Sequence, residues 1–593
     1  MSAYLHCMLN KVIRLIRRCL RLALPFGRKK LAVVFAIIFL NGIFELIGAA
    51  SVLPFFALAS DPQDFMENPK AQWLFELLPE MTTNQLLMSA GIFSIVMLFV
   101  ASATALLNQV VRVRYGFALG HSLRTRMMKS LAARPYSYFL GRNTGQLLQK
   151  TVDDVGRFIN EVFLPLLDVL SRSVTILFLV TAAIAANPPV ALGIAGLFGT
   201  FYALVYLFVR KHSLRIGAML RSTNRNIMIY ANQFFGSIKT VLVNEKADYF
   251  ISKFVENSKR QSELLPKARL FSFFPRTMIE PLAYGALVAV VVVMAGRGES
   301  LTDILPSLSV MLVAGMRLIP AFQSLYSQLN NITTMSYTLN EVEEEILEVN
   351  KLSDDDLDQQ LEAHAPKGKL TFQKEIALEN VTIQYPEAPA PVLSGLTLTV
   401  PKKSSIGIIG PTGSGKSTLI DTILGLHQIQ SGTLRVDDRP LRKSDMPTWR
   451  GLIGYVPQDI YLIDGTVAEN IAFGIPEDEI DHDLVKKVAH AAQIGPFIEN
   501  EMPGRYATEV GERGVRLSGG QRQRIGLARA LYVQPDVLIL DEATSALDIE
   551  TEKEVMKAID ALQGTLTILI VAHRLSTIEA CDQVVNLGDF KTS

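Results

Sequence analysis

The first half of the chain consists of long apolar runs with few interruptions, and the second half of short ones. Runs long enough to cross about 30 Å of hydrocarbon, roughly 20 residues each, occur near 31–59, 85–111, 163–186, 190–209, 279–295 and 304–329. An even number of spans places both ends on one side of a membrane. The segments after the second and fourth runs keep a helical period into the flanking spans, which predicts membrane helices continuing well beyond the bilayer. From about residue 375 the pattern changes to short β-branched runs alternating with helical stretches: Ser405 to Gly410, Gly451 to Val456, Val537 to Leu540 and Leu566 to Val571. That alternation predicts an α/β domain.

Composition agrees with the pattern. A chain of 593 residues with 49% hydrophobic and 19% charged positions is too apolar for a soluble protein of its size, and its mean hydropathy is +0.26. Its length calls for two or more domains. The sequence divides into an amphipathic segment over 1–30, a six-helix membrane domain over 31–345, an acidic linker over 346–374 and the α/β domain over 375–593. Cys7, Cys19 and Cys581 are scattered, which predicts neither a disulfide framework nor a metal site.

The net charge of +1 hides a split and gives no reason to expect a nucleic-acid partner. Arg112, Arg114, Arg124, Arg126, Lys129, Arg134, Arg142, Lys150 and Arg157 lie between spans two and three, and the segment between spans four and five is similarly basic. By the positive-inside rule these segments and both termini are cytoplasmic. The expected location is therefore the inner (plasma) membrane, with the α/β domain on the cytoplasmic side. Arg14, Arg17, Arg18, Arg21, Arg28, Lys29 and Lys30, interleaved with apolar residues, predict an amphipathic helix on that face.

Gly410-Pro-Thr412-Gly413-Ser414-Gly415-Lys416-Ser417-Thr418 follows an apolar strand and precedes a helix start. Its glycines let backbone N–H groups converge on phosphates, Lys416 neutralises β/γ charge, and Ser417 offers a hydroxyl to Mg²⁺. Asp541 ends an apolar strand, where a carboxylate can hold Mg²⁺ through water, and the adjacent Glu542 can deprotonate an attacking water. The cofactors implied are ATP and Mg²⁺.

Leu517-Ser518-Gly519-Gly520-Gln521 is where the chain resembles a family, the ATP-binding cassette (ABC) transporters, whose signature this is. The resemblance extends to Gln458 in Val-Pro-Gln-Asp, His573 in Val-Ala-His-Arg, Ser545-Ala-Leu-Asp548 and the aromatic Tyr385 upstream of the phosphate loop. It implies that Tyr385 stacks on adenine, that Gln458 senses Mg²⁺ and water, and that His573 holds the γ-phosphate beside Glu542. It also implies that Ser518 and Gly520 meet the γ-phosphate of a second copy, so that two chains pair as a homodimer. One departure is that the chain ends soon after His573, where relatives usually carry another strand and helix.

Membrane domain before cassette, with Thr508-Glu-Val-Gly-Glu-Arg-Gly514 ahead of the signature, resembles the exporter branch. In that branch 142–148 and 237–241 would be the transverse helices that receive the cassette's motion. The first span and the Ser60-Asp61-Pro62 after it resemble PglK-type flippases of lipid-linked oligosaccharides, with Trp73 to Leu78 as a short external helix. The expected substrate is a lipid-linked glycan or related glycolipid moved to the outer leaflet. Alternatives are a lipid, multidrug or peptide exporter and, outside transport, an ATP-gated channel or regulatory subunit.

Charges inside spans are costly and usually functional, which singles out Glu45, Arg172, Glu280 and Arg317. Arg317 is the candidate for an acidic glycan or pyrophosphate. The competing reading is an ion pair with Glu45 or Glu280.

Overall fold

A computed structural model describes the chain except for residues 1–13, 61–81, 143, 187, 297–300, 364, 367, 369, 386–389, 512–513, 544–548, 573–577 and 591–593, together with a number of side chains in the helices, most of them between 182 and 317. The chain divides into two units: Met1–Ser130 with Asn143–Asp354, and Leu131–Arg142 with Asp355–Ser593.

Six long helices among the described residues build the first unit: α1 (Arg28–Ala50), α2 (Thr83–Ala132), α3 (Leu164–Ala186), α4 (Pro188–Gly236), α5 (Ala247–Gly296) and α6 (Leu301–Val349). The lengths of α2, α4, α5 and α6, 49 or 50 residues each, exceed what a bilayer needs, as the extended helical period predicts for α2, α4 and α5. Among the described residues, Arg28–Phe56, Thr83–Ala132 and Gln149–Thr181 are long and apolar enough to cross a membrane.

Without a hydrophobic drive between helices in lipid, close approach depends on small residues and polar bonds. A side chain at Gly42 of α1 would meet Val174 of α3 at 2.8 Å, and one at Gly217 of α4 would meet the Thr334 carbonyl of α6 at 2.2 Å. Asp168 of α3 accepts from Arg112 of α2 and from Ser324 and Gln328 of α6. Asn108 donates to Ser171 at 2.8 Å beside them. This cluster ties three helices together.

Residues 14–23 are helical, with Cys19, Leu22 and Ala23 buried and Arg14, Arg17 and Arg21 exposed. Arg18 bonds to Glu343 and Asn340 of α6, and Asn350 to the Leu22 carbonyl. The N-terminal helix is thus fastened to the last turns of α6. Burial pushes the Cys19 thiol up to about 12, leaving it protonated and inert. The acidic stretch 346–374, expected to be a linker, holds the end of α6 and a further helix, Asp354–Glu362.

The second unit carries nine strands among the described residues: β1 (Glu375–Ile383), β2 (Leu393–Pro401), β3 (Ser405–Ile409), β4 (Ser431–Val436), β5 (Arg439–Pro440), β6 (Ile453–Val456), β7 (Val537–Asp541), β8 (Thr567–Val571) and β9 (Gln583–Asn586). An antiparallel sheet runs β2-β1-β4-β5, and a parallel sheet runs β6-β7-β8-β3-β9. Every residue of β7 and β8 is buried, the mark of a central parallel strand covered on both faces. β9 supplies an edge strand after the segment that contains His573, pairing in parallel with β3 from Ile406↔Gln583 to Ile409↔Asn586. Two helices matter for the site, α7 (Lys416–Ile423) and α8 (Gly519–Tyr532).

Candidate functional site

In open parallel sheets, ligands bind at the carboxyl ends of the strands. The phosphate-loop residues follow β3, Asp541 ends β7, Gln458 follows β6, and β8 between β3 and β7 leads to His573, which lies outside the described residues. Strand order alone therefore gathers four stretches far apart in sequence.

Between β3 and α7 the backbone turns through left-handed glycines, Gly413 at φ +75° and Gly415 at φ +92°. A side chain at Gly415 would strike Leu393 at 2.8 Å, so both conformation and space require glycine there. The first N–H groups of α7, from Lys416 to Thr418, have no acceptor within the helix and face the loop that precedes it. Lys416 is 6% exposed, and its Nζ contacts the Gly410 carbonyl at 2.9 Å. Ser414 Oγ is buried without a hydrogen-bond partner among the described residues. An almost buried ammonium resting on a carbonyl, a buried hydroxyl and a turn of free N–H groups suit a polyphosphate. Thr412, Gly413 and Ser417 lie exposed around it.

Tyr385 donates to or accepts from Thr418 Oγ1 at 3.0 Å, which puts its ring beside the first turn of α7. Asp541 is 9% exposed, and its pKa is raised by burial first, then by Glu542 and Asp421. Tyr455 contacts its Oδ2 at 3.4 Å. Asp541, Ser417 and Gln458 would hold Mg²⁺, whose charge relieves that crowding of carboxylates. Glu542 stands at φ +49°, in the left-handed region that a non-glycine residue rarely adopts. Its N–H bonds to the Val571 carbonyl at 3.0 Å, and Gln458 Nε2 donates to its Oε2 at 2.7 Å. Strain of this kind concentrates at functional sites, and it aims the carboxylate at the glutamine.

The signature has a local physical explanation. Ser518 caps α8: its Oγ accepts from Gln521 N at 3.2 Å and its N–H donates to Gln521 Oε1 at 2.8 Å, a reciprocal capping box. Gly519 and Gly520 open the first turn and add no side chain of their own at the positive end of this 14-residue helix. Gln458, Asp459, Tyr461, Gly519, Arg522 and Gln523 border one groove of about 480 Å³. The glutamine loop and the signature of one cassette are thus neighbours.

Sequence reasoning did not single out Tyr455 or Asp421, which have no motif spacing to betray them. Of the intramembrane charges, Glu45 is buried and accepts from Asn41 one turn earlier, at 3.4 Å. The side chains of Glu280 and Arg317 lie outside the described residues, and so do Trp73 to Leu78 and Ser545 to Asp548.

Residues 31–332 match the family described as ABC transporter transmembrane region, and residues 393–545 match ABC transporter. The chain belongs to the ABC transporter family. It is 32% identical over 66% of its length to an "ATP-dependent lipid A-core flippase" of Pseudoalteromonas atlantica, covering 64% of that protein. A protein of the same name from Methylobacillus flagellatus is 33% identical over 57% of the chain, with 55% of its own length covered. The chain thus spans less than two thirds of these two relatives. One from Methylococcus capsulatus is 26% identical over 97% of the chain and 90% of the relative. Among solved structures, a bacterial Atm1-family ABC exporter with ATP bound shares the fold, with a TM-score of 0.68, 21% identity and coverage of 95% and 94%.

The raised pKa of Asp541 yields a test of the metal-site assignment. An acid whose folded pKa lies above its unfolded value binds its proton more tightly when folded, so it costs stability as pH rises from about 4 through the folded value. Asp541→Asn is expected to raise the thermal midpoint of the nucleotide-free protein at neutral pH by a few degrees, with the gain vanishing below about pH 4. The same variant should lose Mg²⁺-dependent ATP hydrolysis. A thermal midpoint lowered at every pH would refute the electrostatic account.

Proposed function

We propose that this ABC transporter hydrolyses ATP at two shared sites in a homodimer and uses the cycle to move a lipid-linked oligosaccharide or related glycolipid from the cytoplasmic to the outer leaflet of the inner membrane. The observation that carries the ATPase reading is the Gln458–Glu542 bond beside Asp541 and the phosphate loop. A gate requires nucleotide binding alone, whereas an oriented carboxylate next to the expected γ-phosphate serves turnover. Glu542 acts as the base that takes a proton from water, Gln458 fixes the rotamer of that base, and Lys416 with the first turn of α7 neutralises the phosphates. Mg²⁺, held by Ser417, Gln458 and Asp541, would offset phosphate charge when bound.

The glycolipid reading rests on the first span and on relatives named for lipid A-core flipping. Reconstitution in proteoliposomes, with ATP-dependent flipping of a lipid-linked oligosaccharide compared against a phospholipid, a hydrophobic drug and a peptide, tests it. Faster movement of any of the last three overturns the substrate class. Within that experiment Arg317→Ala should lower the number of glycolipids moved per ATP hydrolysed, by about tenfold if an intramembrane cation meets an anionic headgroup. Arg317→Lys should restore part of the loss by keeping the charge without the planar fork.

A further inference from the structure

We propose that His427 is a positioning residue that links the cytoplasmic segment Leu131–Arg142 to the adenine-facing Tyr385. The inference rests on the nucleotide-site reading and extends it. His427 lies just beyond the end of α7, and its side chain is 6% exposed. Three groups face the imidazole. Tyr385 meets it ring to ring at 4.8 Å and 85°, Tyr136 at 6.1 Å and 66°, and Asp421 of α7 lies with Oδ2 3.5 Å from Nε2. Edge-to-face pairs of this kind are directional, because the positive edge of one ring seeks the negative face of the other.

Tyr385 in turn reaches Thr418 Oγ1 at 3.0 Å, two residues from Lys416. The sequence Tyr136, His427, Tyr385, Thr418 is therefore a continuous line of contact. It begins in the segment that joins α2 to the helical stretch before α3, and it ends in the first turn of the phosphate-binding helix. The far end is stiff. Arg134 and Arg142 stack on the Tyr138 ring at 5.1 and 3.9 Å, and Arg142 donates to the Tyr138 hydroxyl at 3.0 Å. Burial first, then Asp421 and Tyr385, raise the pKa of Tyr136, as expected of a phenol drawn into this cluster.

The near end holds one unsatisfied polar atom. His427 Nε2 is buried with no hydrogen-bond partner among the described residues, yet a short movement toward Asp421 would make one. The imidazole thus has an unused partner within reach on the α7 side. A displacement of Tyr136 would press His427 toward Asp421 and alter the tilt of Tyr385 over the nucleotide base. The line reaches α7 only through the Thr418 hydroxyl, while Lys416 Nζ and the backbone N–H groups of the first turn are held by the loop and the helix themselves, so His427 should govern recognition of the base more than that of the triphosphate.

The test measures binding of ATP and of inorganic tripolyphosphate to the full-length protein in detergent or nanodiscs. His427→Ala is expected to weaken ATP about three- to tenfold, the range that an aromatic pair supplies, and to leave tripolyphosphate unchanged. Tyr136→Ala should weaken ATP in the same direction. In a Tyr385→Ala background the further effect of His427→Ala on ATP should disappear, because the histidine acts through that ring. His427→Phe, which keeps the ring and the packing, should recover most of the affinity. Equal losses for ATP and tripolyphosphate, or an undiminished His427→Ala effect without Tyr385, would overturn the proposal in favour of a general packing role. Failure of the wild-type protein to bind either ligand would instead overturn the nucleotide-site reading.

Discussion

Replacing Glu542 with glutamine is expected to abolish steady-state ATP hydrolysis while leaving ATP binding intact. The amide is isosteric with the carboxylate, so the left-handed backbone at φ +49° and the Glu542 N–H bond to Val571 can persist. An amide oxygen can still accept from Gln458 Nε2, which in the native site lies 2.7 Å from the carboxylate. What is lost is the ability to take a proton from water, a contribution of about 10²- to 10⁴-fold in rate. Lys416 and the first turn of α7 are untouched, so affinity should stay within a few-fold of native, and the protein should accumulate with ATP bound. The change also separates the base from its support. Gln458→Ala keeps the carboxylate but frees its rotamer, so a smaller loss is expected there, on the order of tenfold in kcat. Turnover and ATP occupancy measured on the same preparation decide the matter. Near-native turnover in Glu542→Gln would remove this residue from the catalytic role.

These two residues also illustrate what the sequence could reveal and what it could not. Glu542 stands out at the end of an apolar strand and Gln458 through the family resemblance, yet their bond spans 84 positions and depends on β6 lying beside β7. No periodicity encodes that adjacency. The capping box at Ser518 and Gln521 is the opposite case, since the spacing of serine and glutamine three apart ahead of a helix is a local signal. Run length sufficed for the membrane helices because hydrocarbon admits little else. It failed for their polar ties: Arg112 read as one more cytoplasmic cation, while the structure pairs it with Asp168, 56 positions on.

The acidic residues near the end of α6 mislead for the same reason. Glu343 and Glu345 are acidic neighbours at the border of the stretch expected to be a linker. They lie within α6, where Arg18 and Lys150, distant in sequence, supply the opposing charges. Glutamate is itself a good helix former, and these long-range pairs offset the mutual repulsion of the acidic run.

The second large effect concerns how a site is shared between two chains. The signature turn of α8 is rigid by itself, held by the Ser518–Gln521 box, and offers N–H groups that need an anion. If that anion is the nucleotide held by the partner's phosphate loop, each site joins Lys416 of one chain to Ser518 of the other. Mixed dimers then distinguish the arrangements. With Lys416→Ala on one chain and Ser518→Ala on the other, both lesions fall in one shared site and the second site stays intact. With both substitutions on one chain beside a native partner, each shared site carries one lesion. Sites contained within single chains predict the reverse order. Loss of the lysine removes charge-assisted bonds worth about 1.5–3 kcal/mol, or roughly ten- to a hundredfold in affinity, so the two dimers should differ clearly in trapped nucleotide. Ser518→Ala also removes a helix cap at a cost of about 1 kcal/mol, and Gln521→Ala, which breaks the same box but leaves the hydroxyl, is the control for that. One nucleotide retained in the first dimer and none in the second establishes a composite site, and the opposite pattern refutes it.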